Sequence, residues 1–113
     1  NTPRMNGGVV IKFNANQRYT TDGVSCALFT AVCREAKAPV QVYANRSDLP
    51  GGSTLGSIAM TKVSVPSVDI GLAQLAMHSC VETAGAADLD ALVRAMTVYY
   101  GKTLRRTGET LTF

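Results

Sequence analysis

Gly7-Gly8-Val9-Val10-Ile11-Lys12-Phe13 is the stretch that decides the fold. After the two glycines the run is β-branched and apolar with one interruption, so it reads as a strand over Val9 to Phe13. A strand that is apolar almost throughout expects cover on both faces, as a sheet with helices packed on it supplies. The interruption is Lys12. A buried lysine is costly unless paired, so it either points out at a sheet edge or is aimed at an anion.

Beyond the polar, turn-prone Asn14-Ala15-Asn16-Gln17, Thr21 or Asp22 can cap a helix by accepting a backbone N–H. That helix is expected to bury Val24, Leu28, Ala31 and Val32 on one face. Arg34 and Lys37 fall where a helix C-terminus favours cations, and Ala38-Pro39 stops it. Val40-Gln41-Val42-Tyr43-Ala44 alternates as a strand does. Asn45 to Gly52 reads as a loop, and Ser53 caps a short segment, Thr54 to Lys62. Val63 to Gly71 reads as a third strand, with Pro66 marking an edge or an irregular entry. Asp88 is expected to cap the last helix, whose apolar stripe is Leu89, Leu92, Val93, Met96, Tyr99, Tyr100 and Leu104. Gly108 is its expected stop.

Strand, helix, strand, short helix, strand, long helix is an α/β order. Three strands make a small, partial sheet flanked by helices, and the chain does not obviously supply cover for both faces. It reads as half of a larger sheet. The absence of an initiator Met also reads as a piece of something longer.

Composition narrows the class. The chain has 113 residues, at most one domain. Only 17% are charged, against roughly 25% in ordinary soluble domains, and 46% are hydrophobic, so disorder is not the default. No apolar run approaches the ~20 residues a membrane span needs, and the N-terminus lacks a signal-peptide core. The net charge of +3 is mild, and Arg105-Arg106 is the only basic doublet, so nucleic acid is not an expected partner. Cys26 and Cys33 lie too far apart on one helix to bridge. Reduced, buried thiols in an intracellular protein are expected, and without a CxxC no cysteine-based zinc site is.

Few residues offer chemistry. His78, the only histidine, follows a predicted strand, where α/β folds place ligand sites. It is a capped or surface histidine, or one ligand of a metal site whose other ligands lie outside the chain, since zinc needs three or four. Pro50-Gly51-Gly52-Ser53-Thr54-Leu55-Gly56 could bind an anion at a helix start, but lacks the Gly-Lys-Ser/Thr ending of a P-loop; a tight turn with a capping serine is the plainer reading. Tyr19 could fall on the same side as Lys12. No serine sits in a nucleophile frame, and Asp88 and Asp90 look like helix-start residues.

Taken in order, Val10-Ile11-Lys12-Phe13-Asn14-Ala15-Asn16-Gln17-Arg18-Tyr19, Asn45-Arg46-Ser47-Asp48, Gly52-Ser53-Thr54-Leu55-Gly56, Val68-Asp69-Ile70-Gly71 and Gln74-Leu75-Ala76-Met77-His78-Ser79 with Glu82 resemble the C-terminal part of the aspartyl aminopeptidases. These are zinc metallopeptidases, and the resemblance runs from about Gly8 to Tyr100. It implies the C-terminal part of a zinc-peptidase-like α/β catalytic domain, in a cytoplasmic two-zinc exopeptidase that removes N-terminal Asp or Glu from peptides. It also implies a homo-oligomer, a tetrahedral dodecamer. By the same resemblance His78 binds zinc and touches substrate, Lys12 and Tyr19 contact the substrate, and Tyr19 serves catalysis. The other metal ligands and the general base would lie upstream, so the chain alone is expected to be inactive. Gly51 stands where the family has cysteine, Ser57 where it has proline, and Val81 where it has arginine. A catalytically silent structural or assembly module of the same fold is the alternative.

Overall fold

The computed structural model describes residues 2–14, 21–44, 59, 62, 65–108 and 110–112. The expected loop over Asn45 to Gly52 and most of the segment Thr54 to Lys62 lie outside them.

The first run forms β1 (Val9–Phe13) and the second β2 (Val40–Ala44), joined through helix α1 (Gly23–Glu35). The two strands pair in parallel, Val9 opposite Val40 through Phe13 opposite Ala44. A parallel pair needs a long crossover, and α1 supplies it. On its other side β1 pairs antiparallel with β3 (Ile70–Gly71), Ile11 opposite Ile70 and Val10 opposite Gly71, so β1 is central in the order β2-β1-β3. Of the expected strand Val63 to Gly71, Val63 and Ser64 lie outside the described residues, Val65 to Asp69 form an irregular entry as Pro66 allows, and Ile70–Gly71 are strand.

Val9 and Ile11, two apart, project to the face that meets the helices, where Phe29, Cys33, Ala38, Ala91 and Ala95 complete the core. Val10 points to the other face and is buried as well.

Asp22 caps α1 as expected. Its carboxylate accepts the Ser25 N–H at 2.8 Å while the Ser25 hydroxyl accepts the Asp22 N–H at 3.0 Å, a reciprocal capping box. The buried face, however, is Ser25, Phe29, Val32 and Cys33. Val24, expected inside, is 54% exposed. No charged residue occurs from Gly23 to Cys33, so periodicity alone did not distinguish neighbouring faces. The cap and the fit of Phe29 and Cys33 onto β1 choose between them.

The last helix, α2 (Ala86–Tyr100), departs further. Gly85 is its N-cap, Asp88 lies inside the first turn, and the residues facing the core are Asp88, Ala91 and Ala95. Leu89 and Val93 from the expected stripe are 58% and 55% exposed. Small side chains let α2 approach α1 and β1 closely, and the large ones then face away. The helix ends at Tyr100 with Gly101 as C-cap, not at Gly108. Gly108, with φ +61°, turns a hairpin between β6 (Arg105–Thr107) and β7 (Thr110–Thr112). At the far end of α2, Lys102 Nζ lies 2.7 Å from Glu35 Oε1 and ties the two helices together.

A second unforeseen hairpin joins β4 (Gln74–Leu75) to β5 (Thr83–Ala84). Strands of two or three residues are too short to leave a periodic signal. The cysteines are all free, but Cys80 is exposed, against the expectation of buried thiols, because it lies in this hairpin's turn. Among the described residues no helix is long and apolar enough to cross a membrane. Among the described residues the architecture is mixed α/β, small sheets with the helices α1 and α2.

Candidate functional site

Lys12 lies on the central strand, so the edge alternative is excluded. The anion it faces is Asp69, with Nζ 3.8 Å from Oδ1 and side-chain exposures of 29% and 11%. That separation is a Coulombic contact, longer than a hydrogen bond. Asp69 is positioned by its backbone. Its carbonyl accepts the Lys12 N–H at 2.9 Å, and its own N–H donates to Thr21 Oγ1 at 2.7 Å. Gly71 clears the path for the lysine stem, since a Cβ there would stand 3.0 Å from Lys12 Cε. Tyr19 lies outside the described residues.

His78 is presented by the turn between β4 and β5. Two non-glycine residues of that turn, Ala76 (φ 59°) and His78 (φ 70°), adopt left-handed backbone, which costs roughly 1–2 kcal/mol each. Side chains and the backbone hold it. Ser79 N–H donates to the Ala76 carbonyl at 3.0 Å, the Ser79 hydroxyl donates to the Val81 carbonyl, and the Glu82 carboxylate accepts the His78 backbone N–H. The imidazole is exposed.

Because β3 runs antiparallel to β1, the chain reaches Gly71 heading toward the Gly8 end of that strand. The rule that ligands gather at the carboxyl ends of parallel strands therefore does not locate His78; its hairpin does.

The hairpin's second strand runs directly into an unexpected clasp. Asp88, fully buried, accepts the N–H groups of Asn6 and Gly8 at 2.8 Å each. In return Asn6 Oδ1 accepts the Ala87 N–H at 3.1 Å. Asn6 thus caps α2 from 81 residues away, supplying the side chain that Gly85 lacks. Gly85 is required there, since a Cβ would come within 2.3 Å of Asn6 Oδ1. Sequence reading missed Asp69, Glu82 and the Asp88 clasp as partners. The only available signal was an aspartate three residues into a helix behind a glycine, which reads equally well as an ordinary cap.

Burial pushes the Cys33 thiol up to about 11 from 9.0, which keeps it protonated and inert. Among the described residues no three His, Cys, Asp or Glu side chains cluster to hold a metal. An exposed imidazole on a braced turn fits one position of a metal site, which needs three or four ligands.

A partial sheet carrying one half-buried lysine, with a hairpin offering one exposed histidine, defines part of an α/β domain. The family model for the aminopeptidase I zinc metalloproteases (M18) matches residues 1–100, and the chain belongs to that family. It is 46% identical over 98 residues to a probable M18 family aminopeptidase 2 of Ectopseudomonas mendocina, covering 87% of this chain and 23% of that protein. A Mycobacterium bovis protein of the same description is 45% identical over 95 residues, covering 84% of this chain and 22% of the relative. Among solved structures, the cryo-EM structure of the Ape4 and Nbr1 complex superposes with a TM-score of 0.85 at 39% identity, covering 88% of this chain and 19% of the matched chain. The chain thus spans about a quarter of the length of the curated relatives it matches.

Proposed function

We propose that the chain is the C-terminal segment of the catalytic domain of a zinc-dependent aminopeptidase that removes N-terminal Asp or Glu from peptides. Membership of a zinc metalloprotease family supports the reaction class. The observation that carries the acidic preference is Lys12, a half-buried cation on the central strand with its stem laid over Gly71. A cation so held can pair with a substrate side-chain carboxylate and fix its orientation. Tyr19, five residues beyond Asn14, would donate to the substrate oxygen on which charge develops. His78 would hold one of two zinc ions, whose other ligands come from outside this chain, and would border the bound peptide. Zinc in such a site polarises a carbonyl and lowers the pKa of bound water. The enzyme would be cytoplasmic, in keeping with its free cysteines, and would work as a homo-oligomer, a dodecamer by family resemblance.

The test is a pair of kinetic profiles of the full-length enzyme on Asp- and Ala-terminated peptides. Lys12→Met is expected to lower kcat/KM for the Asp peptide by about 2–5 kcal/mol of lost charge pairing, and for the Ala peptide far less. His78→Ala is expected to abolish both. Equal losses on the two peptides for Lys12→Met would remove the specificity role.

A further inference from the structure

The backbone N–H of His78 is held by the Glu82 side chain. We propose that Glu82 is a positioning residue for His78, its carboxylate gripping the His78 backbone N–H so that the left-handed turn presents the imidazole in one direction. This rests on the reading of His78 as a zinc ligand.

The physical case has three parts. First, the turn adopts left-handed backbone at two residues that are not glycine, Ala76 and His78. L-residues leave that region unless their surroundings hold them there. Second, the bond from the His78 N–H to Glu82 spans four residues and closes the loop across its mouth, with Val81 between Ser79's hydroxyl bond and Glu82. Third, both residues are exposed, so the packed core does not hold the turn. The hairpin's base is fixed on both sides, by β3 on β1 and by Gly85 against Asn6. That leaves the turn itself as the joint at which His78 can swing, and Glu82 spans it. A metal ligand whose backbone swings loses affinity through the freedom it must surrender on binding. Because the contact is to a main-chain N–H, what Glu82 must supply is an acceptor oxygen at the right reach.

The experiment uses the full-length protein carrying Glu82→Ala, Glu82→Gln and, separately, His78→Ala, with zinc affinity measured by chelator competition. Backbone hydrogen exchange at His78 is followed in the zinc-free protein, and thermal melts accompany each variant. Glu82→Ala is expected to weaken zinc by about 10- to 100-fold and to speed exchange at His78 without a matching fall in Tm. Glu82→Gln keeps an acceptor oxygen and is expected to stay near the parent in both. His78→Ala is expected to strip the zinc. If His78→Ala loses zinc while Glu82→Ala binds it like the parent, the positioning role is overturned and the ligand reading stands. A Glu82→Gln variant as weak as Glu82→Ala would equally overturn the acceptor role. Unchanged zinc binding in His78→Ala would overturn the ligand reading and this proposal with it, even if exchange at His78 still depended on Glu82.

Discussion

Replacing Asp88 by alanine should open the joint between the chain's start and its last helix. The carboxylate is fully buried and accepts two backbone N–H groups at 2.8 Å, from Asn6 and Gly8. Hydrogen bonds to a charged group contribute about 1.5–3 kcal/mol each, and an orphaned buried donor carries its own desolvation penalty. The Gly8 bond is buried; the Asn6 bond is only partly so and can be replaced by water. The expected loss is therefore about 2–4 kcal/mol, equivalent to roughly 30- to 1,000-fold in an opening equilibrium. Asp88→Asn should not rescue fully. One carboxamide position remains an acceptor, but the other sets an NH2 against a backbone N–H, so about half the loss is expected. Asp90→Ala is the control. Among the described residues its carboxylate makes an exposed pair with Arg94 at 3.1 Å, worth under ~0.5 kcal/mol. Amide hydrogen exchange reads the result locally. Protection at Gly8 and at Ala87, whose N–H is capped by Asn6, should fall together in Asp88→Ala. Unchanged protection at Gly8, or equal effects from positions 88 and 90, would refute the clasp.

Stability should also fall with alkali. Cys33 has a folded pKa raised by burial to about 11 from 9.0, so folded and unfolded states hold the same proton below pH 9. Between about 9 and 11 only the unfolded state releases it, and about 2–3 kcal/mol is lost in urea melts across that window; Cys33→Ala or Cys33→Val should flatten the slope. Thiol labelling of the native chain should run Cys80 first, then Cys26, with Cys33 last, in order of exposure; modification of Cys33 before Cys80 would contradict the packing. Gly71→Ala should cost little stability, since its Cβ meets only the flexible end of Lys12, but by displacing that lysine it should reduce turnover of acidic substrates more than neutral ones. The isolated chain should bind zinc weakly at best, because among the described residues no three ligands cluster; stoichiometric, sub-micromolar zinc by titration calorimetry would show a complete site within it.

Local chemistry was legible where one residue type has one dominant use. Val9 to Phe13 and Val40 to Ala44 became strands with the expected bounds, Asp22 capped α1, and the α/β class followed from their order. The odd lysine in an apolar strand was visible as either an edge residue or one aimed at an anion, and the central place of β1 decided for the anion. Which anion was a tertiary matter. Asp69 reaches Lys12 only because β3 pairs with β1 in one register, and nothing local distinguishes Asp69 from Asp88 or Asp90. Helix faces behaved similarly. Hydrophobicity predicted that Leu89 and Val93 would be buried, yet close approach of helix to strand selects the smallest side chains, and Ala91 and Ala95 won the core. The direction of β3 tells the same story. From sequence, Lys12 and His78 both stand near strands. Only the pairing shows that β3 runs antiparallel to β1, ahead of the hairpin that bears His78, because strand direction depends on a partner tens of residues away and leaves no mark on the residues it reorients.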